Sequence, residues 1–160
     1  MQFIRKRFWY VPAIIWMIVI FRLSGQVGKV SSSLSFKVTA KIVYIIELVR
    51  RGDNADAVMI AMKLHPIIRK LAHMAEYGIL YILLALSFLA STRATRAMAY
   101  AVIMSAIYAG LDEFHQSFVA DRSAQVTDVC IDMAGVLMAV TFALLIYSFW
   151  QDRREKSGYR

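Results

Sequence analysis

The sequence predicts an all-α integral membrane protein. One domain over residues 1–160 forms a four-helix bundle, with an additional interfacial helical segment between the first two spans. Three observations lead there. Hydrophobic residues make up 59% of the 160 and mean hydropathy is +0.54, too apolar for an ordinary soluble domain. Four apolar segments are separated by more polar ones. Basic residues flank those segments instead of forming one stripe, so the net charge of +8 points to anionic lipid head groups and away from nucleic acid.

The first span is predicted at about 8–23, behind Arg5-Lys6-Arg7. It lies at the lower edge of the ~17–25 residues a helix needs to cross. Phe3 and Ile4 extend it, and Arg22 can snorkel to the far interface. No small-residue cleavage site follows, so it reads as an uncleaved helix and not a signal peptide. The segment 24–65 comes next. Ser24-Gly25-Gln26-Val27-Gly28 and Ser31-Ser32-Ser33 read as loop with helix-start signals. Residues 39–51 carry Ile42, Val43, Ile45, Ile46 and Val49 but also Lys41, Glu47, Arg50 and Arg51. That mixture suits an interfacial helix better than a span. Gly52-Asp53-Asn54 stops it, and 55–64 forms another short helix.

The second span is predicted at about 66–90, with Pro66 in its first turn, where a missing N–H costs nothing. After the turn Thr92-Arg93-Ala94-Thr95-Arg96 comes the third, at about 97–113. The fourth covers about 127–150, with Tyr147 and Trp150 as interface anchors. Its single cysteine, Cys130, reads as a small buried hydrophobe and excludes an intrachain disulfide or a CxxC metal site. Residues 151–160 read as a basic, lipid-facing end. Basic residues are densest near the spans at Arg5-Lys6-Arg7, at Arg93 and Arg96, and at Arg153, Arg154, Lys156 and Arg160. This predicts both termini in the cytoplasm and 24–65 outside.

That topology gathers the unusual polar residues at the outer face. Ser24 and Gln26 follow the first span. Arg69, Lys70, His73, Glu76 and Tyr77 open the second, and Asp112, Glu113, His115 and Gln116 close the third. Asp121, Arg122, Gln125, Asp128 and Asp132 lead into the fourth. Arg69, His73, Glu76 and Tyr77 share a helical face, and Asp128, Asp132 and Gly135 form an acidic stripe with a close-packing glycine. Ionisable groups at the edge of hydrocarbon are costly and usually face a bundle interior or a wet cavity. For any one pair, a buried network that fixes helix register explains the residues better than chemistry does. For the whole set on one side, a site is the better reading. No HxxxH or HExxH motif occurs, so neither metal nor cofactor is expected.

Several runs together resemble the VanZ-like family. They are Ser24-Gly25-Gln26, Arg69-Lys70-Leu71-Ala72-His73-Met74-Ala75-Glu76-Tyr77, the stretch from Asp112-Glu113-Phe114-His115-Gln116 to Arg122-Ser123, and Asp128-Val129-Cys130-Ile131-Asp132-Met133-Ala134-Gly135. The resemblance covers roughly residues 10 to 150. Against the family pattern, Gly25 replaces a serine and Met74 follows His73. Ala120-Asp121 replaces Pro-Gly, which removes the pair that would make a rigid turn, while Arg122 is kept. The resemblance implies a multi-pass protein of the bacterial cytoplasmic membrane with a cell-envelope role, in a family named for low-level teicoplanin resistance. It supplies no reaction.

Three functions remain open. In the first, an outward-facing site binds an anionic lipid or a lipid-linked cell-wall-precursor head group. Arg69, Lys70 and Arg122 contact phosphate, and Glu76, Asp112 and Asp132 hold those cations. In the second, a membrane enzyme acts on such a head group. His73 or His115 serves as base or nucleophile, oriented by Asp112, Glu113 or Asp128, with Glu76 a further candidate. In the third, the chain is a structural or assembly protein, or a small transporter.

Overall fold

The structure is a computed structural model and describes residues 8–50 and 54–158. Among them it is all helical, without a strand. A single 3-10 turn, Phe8–Tyr10, leads into α1 (Val11–Ser24), with Pro12 in the first turn of α1. Then follow α2 (Gly28–Arg50), α3 (Asn54–Leu89), α4 (Ala94–Gln116) and α5 (Val126–Gly158). Arg5-Lys6-Arg7, Phe3, Ile4, Arg51, Gly52, Asp53 and Arg160, on which some sequence expectations fell, lie outside the described residues.

Three helical stretches are long and apolar enough to cross a membrane: Ala57–Leu89, Ala94–Gln116 and Val126–Arg153. Phe8–Ser24 passes that test only together with Gly28–Leu48, from which it is bent by 108°. The chain is therefore a multi-pass membrane protein with three spans, or up to four if the bent pair counts as one.

Two expectations about helix boundaries change. The first concerns Ser24 to Gly28 and Ser31 to Ser33, read as loop with helix-start signals. Helix α2 already starts at Gly28. Ser31, Ser35, Thr39, Val43 and Glu47 recur every fourth residue along its partly or fully buried face. The hydroxyls of Ser35 and Thr39 donate back to the Ser32 and Ser35 carbonyls at 3.1 and 2.9 Å. Serines that can satisfy themselves this way do not end a helix. The second concerns 55–64, read as a separate short helix before a span starting at Pro66. Helix α3 is continuous, and Pro66 lies inside it. The proline leaves the Met62 carbonyl without its helical donor, yet both flanks of the break are held by packing. Val43 of α2 packs with Ala57 and Ala61 of α3 before Pro66, and Tyr77, Leu80 and Tyr81 enter the main core after it.

At about 1.5 Å per residue, the 36 residues of α3 extend well beyond a hydrocarbon layer of roughly 30 Å. Its first third forms a hairpin with α2. The rest forms a bundle with α1, α4 and α5. Ala97, Ala101, Ser105 and Ala109, all fully buried, give α4 a smooth face. Gly135 lets α5 approach α3 so closely that a Cβ there would lie 2.0 Å from the Met74 carbonyl oxygen. The outer faces carry large exposed apolar side chains such as Ile103, Leu137 and Phe142, as suits helices surrounded by lipid. Cys130 is exposed on such a face and is not the buried hydrophobe expected.

Candidate functional site

Two hydrogen bonds fix α1 at the level where the polar residues collect. Trp16 Nε1 donates to the Glu76 carbonyl of α3 at 2.9 Å, and the Tyr108 hydroxyl of α4 donates to the Met17 carbonyl at 2.6 Å. Ser24, at the end of α1, then meets the end of α4. Its hydroxyl donates to Asp112 Oδ1 at 2.5 Å. Gln116 Nε2 donates to the other oxygen of Asp112 at 2.9 Å. Ser24, Asp112 and Gln116 are all buried.

The connection from α4 to α5 folds back onto this platform. Arg122 Nη1 donates to Gln116 Oε1 at 2.7 Å and Nη2 to Ser31 Oγ of α2 at 2.8 Å. Two neutral acceptors on two helices thus hold the guanidinium, while its buried Nε has no hydrogen-bond partner. Burial, and next the charge of Arg69, lower the Arg122 pKa, opposed by Asp112, Glu113 and Asp128; an arginine stays charged regardless. Glu113 accepts a hydrogen bond from the Gln125 backbone N–H at 2.5 Å, pinning the end of the loop where α5 begins.

The turn before Arg122 survives without Pro-Gly. Asp121 adopts φ 59°, the left-handed conformation that glycine favours. The Gly28 N–H donates to the Ala120 carbonyl at 3.1 Å, and a Cβ on Gly28 would fall 2.0 Å from the Asp121 carbonyl oxygen. The loop therefore docks on the bare start of α2, and Lys29 pairs with Asp121 at 3.7 Å on the surface.

Two cavities flank Arg122. The larger, about 500 Å³, is lined by Lys29, Arg69, Lys70, His73, Gln116, Asp121, Arg122, Asp128 and Asp132, among others. The smaller, about 310 Å³, is lined by Ser24, Gln26, Ser31, Ser35, Arg69, His73, Glu76 and Arg122 with several apolar residues. Arg69, His73 and Arg122 line both. His73 Nδ1 sits 3.6 Å from Glu76 Oε2 and 4.0 Å from Asp132 Oδ1. These separations permit ion pairing but are too long for hydrogen bonds, and the buried Asp132 Oδ1 accepts none.

The candidates thus divide by place. Arg69, Lys70, His73, Glu76, Gln116, Arg122, Asp128, Asp132, Ser24 and Gln26 each line at least one cavity. Asp112 and Glu113 line neither and instead tie the helix ends together. Tyr77 is fully buried in the core, near the Tyr108 ring. His115 stacks on Phe21 of α1 with ring centroids 4.3 Å apart and lines neither cavity. It is poorly placed as a base, which leaves His73 as the histidine in the site.

Sequence reasoning passed over Ser31, Ser32, Ser35 and Lys29, because their segment read as loop. The signal that could have found Ser31 and Ser35 is their four-residue spacing with Thr39. Among the described residues, no group of three or more His, Cys, Asp or Glu side chains is placed to hold a metal ion.

A comparison with known families matches residues 9–149 to VanZ/LLP1. No curated protein and no solved structure matches the chain.

Proposed function

The chain belongs to the VanZ/LLP1 family, and from that premise we propose that it binds the phosphate of a lipid or lipid-linked cell-wall-precursor head group at the cavities around Arg122. In this reading α1 is a fourth, short span and α2 with the start of α3 lies along the interface. Both termini are cytoplasmic, and the cavities face outward from a bacterial cytoplasmic membrane. Through the family name, the role is one in the cell envelope that bears on teicoplanin.

The observation that carries the reading is Arg122 itself. Its guanidinium is partly buried, held by Gln116 and Ser31 without a direct carboxylate among the described residues, and has an unpaired N–H. A preorganised guanidinium without a direct ion pair among the described residues, with Arg69 lining the same two cavities, suits bidentate phosphate recognition. Gln116 and Ser31 give it position without cancelling its charge.

The test uses the full chain in detergent with dihexanoyl phospholipids, against dihexanoylglycerol, which lacks phosphate. The phospholipids should raise the melting temperature, and Arg122→Ala should lose that response while still inserting. No response to any phospholipid would sink the proposal. Orientation is checked separately. Lys29→Cys should react with a membrane-impermeant thiol reagent on intact cells and Arg93→Cys should not, both with Cys130 replaced by Ala.

One observation favours catalysis as a second reading. His73 lies between Glu76 and Asp132 and lines both cavities, as a general base positioned by carboxylates would. Head-group release from lipid by the purified protein, abolished by His73→Ala, would favour this reading over binding alone.

A further inference from the structure

The larger cavity is bipolar. Lys29 and Asp121 answer each other across its rim at 3.7 Å. That leaves Arg69, Lys70 and Arg122 facing Asp128 and Asp132 across the same space. A ligand that is only an anion satisfies the first group and is repelled by the second. Asp132 is 5% exposed, and its Oδ1 accepts no hydrogen bond. An unmet buried acceptor is costly. The nearest possible ionic partner, His73, is 4.0 Å away, beyond hydrogen-bond reach, and is shared with Glu76. Arg122 and Asp132 both line the cavity, and each carries into its wall a buried polar atom, Nε and Oδ1, that has no hydrogen-bond partner.

We propose that the head group bound here carries a primary ammonium beside its phosphate, with the phosphate toward Arg69 and Arg122 and the ammonium toward Asp128 and Asp132. This rests on the phosphate reading above. The lining also discriminates among cations. A quaternary ammonium has no N–H to give, and proteins recognise it with aromatic cages. Among the described residues, no Phe, Tyr or Trp lines this cavity. Carboxylates that accept hydrogen bonds match a primary amine. The spacing of Asp128 and Asp132, one helical turn apart on α5, presents both on one face to that amine.

The experiment measures affinity of the full chain, in detergent, for three dihexanoyl lipids that share a phosphodiester: phosphatidylethanolamine, phosphatidylcholine and phosphatidylglycerol. Phosphatidylethanolamine should bind about tenfold more tightly than either of the others, the scale of one charge-assisted hydrogen bond. Asp132→Asn should remove that preference while keeping phosphate binding. If Asp132→Asn does not insert, Asp128→Asn carries the same test with a smaller loss. Equal affinity for the three lipids, or tightest binding of phosphatidylglycerol, overturns the ammonium and leaves the phosphate reading standing. A preference that persists in both variants also overturns it, since the two acids would not be what reads the amine. Binding of none of the three overturns both.

Discussion

The two ends of the bundle hold cavities of nearly equal size and opposite chemistry. One, about 500 Å³, is lined by charged groups from α2, α3, α5 and the loop before α5. The other, about 540 Å³, lies between α3, α4 and α5 near their opposite ends and is lined by Tyr81, Ile82, Ala85, Leu86, Leu89 and Met98, among others. Volume therefore does not distinguish a site from a groove in a membrane protein. Helices that diverge toward their ends leave space at both, and lipid tails fill an apolar gap without cost. Space lined by charge is different. Hydrocarbon cannot occupy it, and each group must find water, a partner or a ligand.

The largest expected effect tests what builds the polar end. Gly135→Ala places a methyl 2.0 Å from the Met74 carbonyl oxygen, so α3 and α5 must separate. Overpacking of this kind costs about 1–3 kcal/mol or more, and the melting temperature in detergent should fall accordingly. Because His73 adjoins Met74 and Asp132 lies about one turn from Gly135 on the same two helices, head-group binding should fall with it. An unchanged melting temperature would mean that the helices are not in contact there.

Asp112→Ala comes next. It strips the shared acceptor from the Ser24 hydroxyl and the Gln116 amide; the hydroxyl still has the Phe21 carbonyl at 3.2 Å, but the buried amide is left unmet at a cost of about 1–3 kcal/mol. Loss of stability with only an indirect loss of binding would mark Asp112 as scaffold; unchanged stability would remove it from that role. Arg122→Ala should reverse the balance, costing roughly 1 kcal/mol of stability but at least tenfold in phosphate affinity. Leu86→Ala is the control at the apolar end. Leu86 is 49% exposed, so about 1 kcal/mol or less is lost, and phospholipid affinity should not move. If Leu86→Ala weakens head-group binding as much as Arg122→Ala, the contrast between the ends is wrong.

The smallest effect is a gain. Asp121→Gly should stabilise by about 0.5 kcal/mol, because the left-handed conformation at φ 59° is strained for aspartate and natural for glycine. The lost ion pair with Lys29 is on the surface and contributes little. A fall in melting temperature would show that the pair outweighs the strain.

Much of this was legible in the sequence, for physical reasons that stop at identifiable residues. Apolar runs bounded by charge gave the helices now called α4 and α5, because a continuous hydrophobic segment has few alternatives in lipid. The shared faces of Arg69, His73 and Glu76, and of Asp128 and Asp132, followed from helical period alone. Pro66 misled, because a proline read locally is a helix start, and only packing on both sides keeps α3 continuous through it. The serines of α2 misled for a related reason. Local propensity favours loop, and the partners that reward helix, Arg122 and His65, are 91 and 30 residues away in sequence. Among the acids and histidines, composition could find the cluster but not its division of labour. That His115 packs on Phe21 while His73 lines the cavities depends on where α1 crosses.

The unbroken run of α3 through Pro66 has a mechanical consequence. The same rod carries Ala57 and Ala61 in the hairpin core, and Arg69, His73 and Glu76 at the cavities. Arg122 is tied to both parts, to α2 of the hairpin through Ser31 and to α4 of the bundle through Gln116, so a displacement of the hairpin against the bundle would reach the guanidinium from two sides. The cavities thus lie where the hairpin joins the bundle, and their shape depends on how the two meet.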